Sequence, residues 1–274
     1  MSASGGPAAT ELAGLAARLC RESGHVLTAA GRHRRARMAL IDSARHKSSA
    51  TDLATEADRA SESLIVDGIR KARPDDAVLG EEGSKEAGTS GLTWIVDPLD
   101  GTTNFVYGFG SWSVSIGVAD AAGTLAGAVY DPLRDEMFAA ARGKGASLNG
   151  RSLGELVPTP LAESLIGTGF GYSAEDRRAQ AHLIPVVLPR VRDIRRAGAA
   201  SLDLCYVGVG RLNGYYEAGL QPWDRAAGLL VAIEAGACYD DVEDLVPNRS
   251  TLVVAPPGLL EELRALLVEA AARR

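Results

Sequence analysis

The stretch Trp94-Ile95-Val96-Asp97-Pro98-Leu99-Asp100-Gly101-Thr102-Thr103-Asn104 constrains the fold more than any other part of the chain. Its apolar start reads as a short buried strand that carries Asp97 to its C-terminal end. Pro98 lacks the N–H that a central ladder needs, so the chain is expected to turn there. Asp97 and Asp100 then share one turn. Gly101 lets the backbone approach a ligand, and Gly101, Thr102 and Thr103 would open a helix whose free N–H groups attract an anion. Carboxylates beside an anion nest call for a cation between them. Taken in isolation, Asp100-Gly101 also reads as an ordinary turn and Asp97 as a surface acid.

Around this segment the hydrophobic period changes twice. Leu12, Leu15, Ala16, Leu19 and Cys20 fall on one helical face, which predicts a helix near 10–29; Ala57, Ala60, Leu64, Ile65 and Gly68 predict another over 56–72, stopped by Pro74. Short β-rich runs follow at 77–79, 93–96, 113–118, 125–130, 136–139 and 146–148, with Ala121-Ala122-Gly123 as a hairpin turn, so part of this sheet is antiparallel. After Pro158 strands (164–168, 191–195, 214–217) alternate with helices (175–189, 199–209, 224–235), and a strand at 251–254 and a helix at 258–272 close the chain. That alternation predicts α/β layering.

A length of 274 residues lies near the upper limit for one core, so one domain or two packed halves, 1–150 and 151–274, are expected. With 46% apolar and 23% charged residues, burial can support a fold. No apolar run is long enough for a membrane span and the start lacks the pattern of a secretory signal, so a cytoplasmic location with no membrane partner is expected. Cys20, Cys205 and Cys238 have no metal-binding spacing and read as small core residues. The net charge of −6 argues against a general nucleic-acid binder. Two basic stretches run against that trend, one over 31–47 (Arg32, Arg34, Arg35, Arg37, Arg45, Lys47) and one at Arg190, Arg192, Arg195 and Arg196.

Further acids occupy element ends. Glu81, in Gly80-Glu81-Glu82-Gly83, follows a predicted strand, although, taken alone, the segment reads better as a solvated charged loop. Asp224 precedes an apolar helix and also fits an N-cap. Asp58 sits three residues after Thr55, as in a capping box. Hard oxygen ligands accumulate at strand ends and helix starts with no His or Cys among them, which is the preference of Mg²⁺ and points to magnesium-dependent phosphate chemistry. Two such ions could hold an attacking water on one side and a departing alkoxide on the other.

Taken together, KSSATDLATEAD (47–58), LGEEGS (79–84), WIVDPLDGTTNFVYGF (94–109), GAASLDL (198–204) and YYEAGLQPWDRAAG (215–228) resemble the inositol monophosphatase family of Mg²⁺-dependent, lithium-sensitive phosphatases, in order and over roughly residues 40–240. The resemblance implies a layered αβαβα sandwich with an antiparallel N-terminal sheet and a smaller mixed C-terminal sheet, paired as a homodimer. It implies two to three Mg²⁺ per site. Glu81, Asp97 and the Leu99 carbonyl would hold the first; Asp97, Asp100 and Asp224 the second; Glu81 and water a third. Thr102 and Asp58 would orient and deprotonate the nucleophilic water, and the phosphate would lie on the N–H groups of Gly101 and Thr102. Asp100, Gly198, Ala199, Ala200 and Glu217 would line the substrate, with Glu217 accepting its hydroxyls, which favours myo-inositol 1-phosphate. Ala199 departs from the family's usual Ser or Thr, so one hydroxyl contact is missing. Lys47 matches a lysine of a mobile loop near the metals, while a lone cation in a basic loop is the plainer reading. Phe170, Gly171 and Tyr172 match a loop bordering the pocket, and core packing explains Phe170 as well.

Sibling activities are the first alternative, on fructose 1,6-bisphosphate, adenosine 3′,5′-bisphosphate, NADP or histidinol phosphate. The second is of another class. Bacterial extragenic-suppressor-type members of the family resemble this chain and act with the transcription or ribosomal-RNA machinery, a role to which the basic stretch at 31–47 would lend itself.

Overall fold

The computed structural model describes residues 7–31, 45–46, 53–54 and 56–273. Most of the 31–47 basic stretch, Lys47 and Thr55 lie outside them. Helix α1 (Pro7–Gly31) and helix α2 (Glu56–Ala72) flank a small antiparallel ribbon, β1 (Arg45–His46) with β2 (Leu53–Ala54). Then come β3 (Ala77–Gly80), β4 (Lys85–Glu86), β5 (Thr93–Asp100), helix α3 (Thr102–Tyr107), β6 (Ser113–Asp120), β7 (Gly123–Asp131), β8 (Glu136–Ala141), β9 (Gly145–Leu148) and β10 (Arg151–Ser152). Their eight strands form one sheet in the order β10-β9-β8-β7-β6-β5-β3-β4. Every pairing in it is antiparallel except β3 with β5, which is parallel, so the sheet is mixed at one edge.

The second half carries β11 (Leu165–Thr168), α4 (Ala174–Ala181), α5 (Ile184–Val187), β12 (Asp193–Arg195), α6 (Ala200–Gly208), β13 (Gly214–Ala218), α7 (Pro222–Glu234), β14 (Cys238–Val246), β15 (Arg249–Ala255) and α8 (Leu259–Ala272). Its five strands run β12-β11-β13-β15-β14, parallel across the first three and antiparallel across the rest. Four apolar interfaces stack these elements. Leu12, Leu19, Ile65 and Ile69 pack on Trp94, Ile116 and Val118 of the large sheet. From its other face Val129 and Phe138 meet Leu202, Ala227 and Val231. Leu204 and Leu229 then meet Tyr215 and Leu252 of the small sheet, and Ile166 and Val253 meet Leu263 and Leu267 of α8. The result is helix, sheet, helix, sheet, helix, the layering expected.

Four details depart from the sequence reading. The strand does not end at Pro98. It runs to Asp100 through a bulge, because the register with β6 shifts between Asp97↔Ser115 and Asp100↔Ser113, setting Pro98 and Leu99 against Val114 alone. A bulge leaves one residue outside the ladder, which suits a proline without an N–H. The helix expected over 175–189 is broken into α4, α5 and a 3₁₀ turn at Leu188–Arg190, since Pro185 and Pro189 each remove a helix donor. Strand β14 escaped the hydrophobic pattern because its acids face outward on a sheet edge. Cys238, at its start, is exposed, whereas Cys20 and Cys205 are buried.

Candidate functional site

The parallel pair and the bulge together gather the acids. Gly80 pairs with Val96, and the Glu81 N–H donates to the Val96 carbonyl at 3.1 Å, so Glu81 and Asp97 leave adjacent strand ends side by side. Asp97 and Asp100 are three apart and would point to opposite faces of a regular strand. The bulge shifts the phase by one, and their partners Ser115 and Ser113, two apart on β6, place both carboxylates on the same face.

Asp224 arrives from above. Helix α7 lies close on the large sheet because a Cβ on Gly117 would come within 2.8 Å of Ala226 Cβ, and one on Gly127 within 2.9 Å of Ala227 Cα. Asp224 is not the N-cap. It is the third helical residue of a reciprocal capping box in which its Oδ2 accepts the Gln221 N–H at 2.6 Å, and Gln221 caps.

Each carboxylate is oriented through one oxygen. Asp97 Oδ1 accepts the Leu99 N–H at 3.0 Å. Asp100 Oδ2 accepts from Ser201, and in doing so caps helix α6, whose own N-cap residue, Ala199, has no side chain that can. Asp58 and Thr102 are together and buried: the Thr102 hydroxyl lies 3.1 Å from Asp58 Oδ1 and 3.0 Å from the Leu99 carbonyl. Gly101 holds φ 88°, and a Cβ there would meet the Ser111 carbonyl at 2.9 Å.

A cavity of about 570 Å³ opens over these groups. Glu81, Asp100, Gly101, Asp224, Gly198, Ala200 and Glu217 line it, as do Phe170, Gly171 and Tyr172; Ala199 is buried behind the wall. Burial pushes Glu217 up to about 7, against the pull of the Tyr215 hydroxyl, which donates to it, and of Arg196. Asp100 is pushed up to about 6 by burial, against its bonds from Ser201. Asp97 and Asp224 are held well above the usual carboxylate range, Asp97 by burial and by Glu81, Asp100 and Asp224.

This crowding bears on whether a cation fits. Among the described residues no three acidic, His or Cys side chains close to coordination spacing. Glu81, Asp100 and Asp224 instead crowd the buried Asp97, and their repulsion favours its neutral form. Like charges so placed hold a proton, or spread apart, unless a cation lies between them. An all-oxygen set of four carboxylates and the Leu99 carbonyl suits a hard divalent ion.

Several contributors carried no motif. Glu62, buried on α2, accepts the N–H groups of Glu82 at 2.8 Å and Ser84 at 3.0 Å and so anchors the loop bearing Glu81. Asn104, inside the quoted 94–109 segment but given no role there, donates to the Ser111 and Ala197 carbonyls at 2.7 and 2.8 Å, tying the two halves of the chain together beside the pocket. Ser201 and Tyr215 lie inside the quoted segments, yet only the folded partners reveal what they hold. Of the second basic stretch, Arg190 and Arg195 pair with Glu269 and Asp193, Arg192 bonds the Glu163 carbonyl, and Arg196 lines the cavity.

Residues 9–272 match the Inositol monophosphatase family. The inositol-1-monophosphatase SuhB of Mycobacterium tuberculosis is 45% identical over 233 residues, 81% of this chain and 80% of that protein. The Nus factor SuhB of Pasteurella multocida is 39% identical over 91% of this chain and 92% of its own. Among solved structures, the extragenic suppressor protein suhB of Bartonella henselae superposes with a TM-score of 0.83 at 32% identity, covering 94% of this chain and 98% of that one.

Proposed function

Because the chain belongs to the inositol monophosphatase family and is a phosphatase of that kind, we propose that it hydrolyses myo-inositol 1-phosphate and related inositol monophosphates, using Mg²⁺ at the acidic cluster. The observation that carries the substrate is Glu217. Its carboxylate is fixed by Tyr215 and lines the same cavity as Glu81, Asp100 and Asp224. A desolvated carboxylate aimed at hydroxyls discriminates strongly against esters that lack them.

Glu81, Asp97 and the Leu99 carbonyl would hold one ion, Asp97, Asp100 and Asp224 a second, and Glu81 with water a weaker third. When bound, these ions supply the Lewis acidity that makes water a nucleophile at neutral pH and offsets charge on the departing oxygen. The protein's own groups do the rest. Thr102, whose hydroxyl is tied to buried Asp58, orients a water and relays its proton to that carboxylate. Gly101, with no side chain, leaves its own N–H and that of Thr102 open to the phosphate oxygens. Glu217 and Asp100 orient the cyclitol. The resemblance also implies a homodimer.

The test is Mg²⁺-dependent phosphate release from inositol 1-phosphate beside fructose 1,6-bisphosphate, adenosine 3′,5′-bisphosphate, NADP and histidinol phosphate. Preference for inositol 1-phosphate is the expected result, and preference for another ester would replace the substrate while keeping the site. A second reading follows from the Nus factor name of the Pasteurella relative, namely a partner of the transcription machinery. Turnover of none of the esters would favour it.

A further inference from the structure

Behind the wall that carries Glu217 lies a second, much smaller space. Its volume is about 10 Å³, roughly what one water occupies, and Thr168, Tyr216, Thr251, Gln180, Leu183 and Val246 are among its lining residues. Three of these contribute hydroxyls. Thr168 is 1% exposed, Tyr216 4% and Thr251 1%, and among the described residues none of the three hydroxyls makes a hydrogen bond of ordinary geometry. Tyr216 lies near enough to Thr168 to feel it, without the bond closing.

The register explains why they converge. Thr168 pairs with Tyr216 across β11 and β13, and Thr251 pairs with Ala218, two residues along the same face. All three therefore project from one side of the small sheet, while Tyr215 and Glu217 alternate to the other. A buried hydroxyl with no partner is destabilising, and three facing one water-sized space have a common remedy.

We propose that Thr168, Tyr216 and Thr251 bind a single internal water, and that this water is a positioning element for the substrate wall. Each hydroxyl can donate to or accept from it, which meets the two to four partners that a buried water requires. The space and the substrate cavity share Phe170, Glu217 and Ala218. Gln180, also at the space, accepts the Gly171 N–H at 2.8 Å and ties it to the 170–172 loop on the cavity side. Bridging β11, β13 and β15 there would fix the backbone from which Glu217 projects. That consequence rests on the reading of Glu217 given above; the water itself does not.

A crystal structure of the protein should show one water peak within hydrogen-bond distance of at least two of the three hydroxyls. An empty space, at a resolution where other internal waters are visible, would overturn the proposal. Thr168→Val, Tyr216→Phe and Thr251→Val should each lower Tm by about 2–4 °C. The triple variant, which leaves nothing unsatisfied, should lose clearly less than their sum. Strict additivity would count against a shared water. Thr251→Val should raise KM for inositol 1-phosphate about three-fold at unchanged kcat. If that ester is not turned over, KM is read with the ester the protein does take. An unchanged KM beside a visible water would overturn the positioning role.

Discussion

Ser201 delivers both its backbone N–H, at 2.8 Å, and its hydroxyl, at 2.6 Å, to one oxygen of Asp100, 101 positions earlier in the chain. Ser113 Oγ, 2.8 Å from Ser201 Oγ, extends the chain of bonds back to the large sheet. The layer between the sheets thereby fixes an acid that belongs to β5. Ser201→Ala keeps the backbone bond and loses the hydroxyl, so the Mg²⁺ concentration for half-maximal activity should rise about ten-fold, with little change at saturation. A Mg²⁺ titration of phosphate release reads this directly.

Glu62 does for Glu81 what Ser201 does for Asp100, from a helix on the opposite face of the sheet. Its carboxylate accepts two backbone N–H groups and the Ser84 hydroxyl, the last at 2.6 Å. Glu62→Ala would leave those donors without their acceptor, lowering stability by about 2 kcal/mol and weakening Mg²⁺ activation at least ten-fold. Urea unfolding and the same titration separate the two effects.

At Gly101 the constraint is on the backbone. With φ at 88° and a Cβ bound to approach the Ser111 carbonyl within 2.9 Å, Gly101→Ala must strain or shift the turn that carries the N–H groups proposed to face the phosphate. The expected outcome is a loss of about 1–3 kcal/mol in stability and a fall in kcat of at least a hundred-fold. Thermal unfolding and steady-state kinetics check both.

Far from the site, Asp76 offers a pH prediction. Burial raises its pKa, but hydrogen bonds from Arg73, Ser90 and Trp94 outweigh burial and leave it below the ordinary value. A carboxylate depressed in the folded state adds stability that is present above the unfolded pKa and disappears as pH falls through the folded one. Asp76→Asn should therefore cost about 1–3 kcal/mol at pH 7, and the gap to the parent should narrow steadily below about pH 4. Urea unfolding of both proteins at pH 7 and pH 3 measures it.

The acids were conspicuous in the sequence because they stand at strand ends and helix starts, beside a glycine and with no His or Cys among them, and the fold brings Glu81, Asp100 and Asp224 to one cavity. Most helices and strands were legible from period, although the 175–189 stretch proved to be broken at its prolines. What escaped depended on partners distant in sequence. The bulge at Pro98 arises from pairing with Val114, and no local pattern shows that Asp97 and Asp100 share a face. Glu62 looked like one more charge on an amphipathic helix. The acid-rich strand β14 carried no apolar alternation because an edge strand buries so little of itself. Ala199 read only as a missing substrate contact, and no local pattern shows that it is also the N-cap residue of α6, whose capping Asp100 takes over.

In the proposed mechanism Asp97 would stand between ions while Glu217 would handle the leaving group, and kcat and KM of Asp97→Asn beside Glu217→Gln, at saturating Mg²⁺ with inositol 1-phosphate, measure that division. Asp97→Asn should lower kcat by about a thousand-fold or more, whereas Glu217→Gln should act mainly on KM, with kcat falling no more than about ten-fold. Equal losses of kcat in the two variants would contradict it.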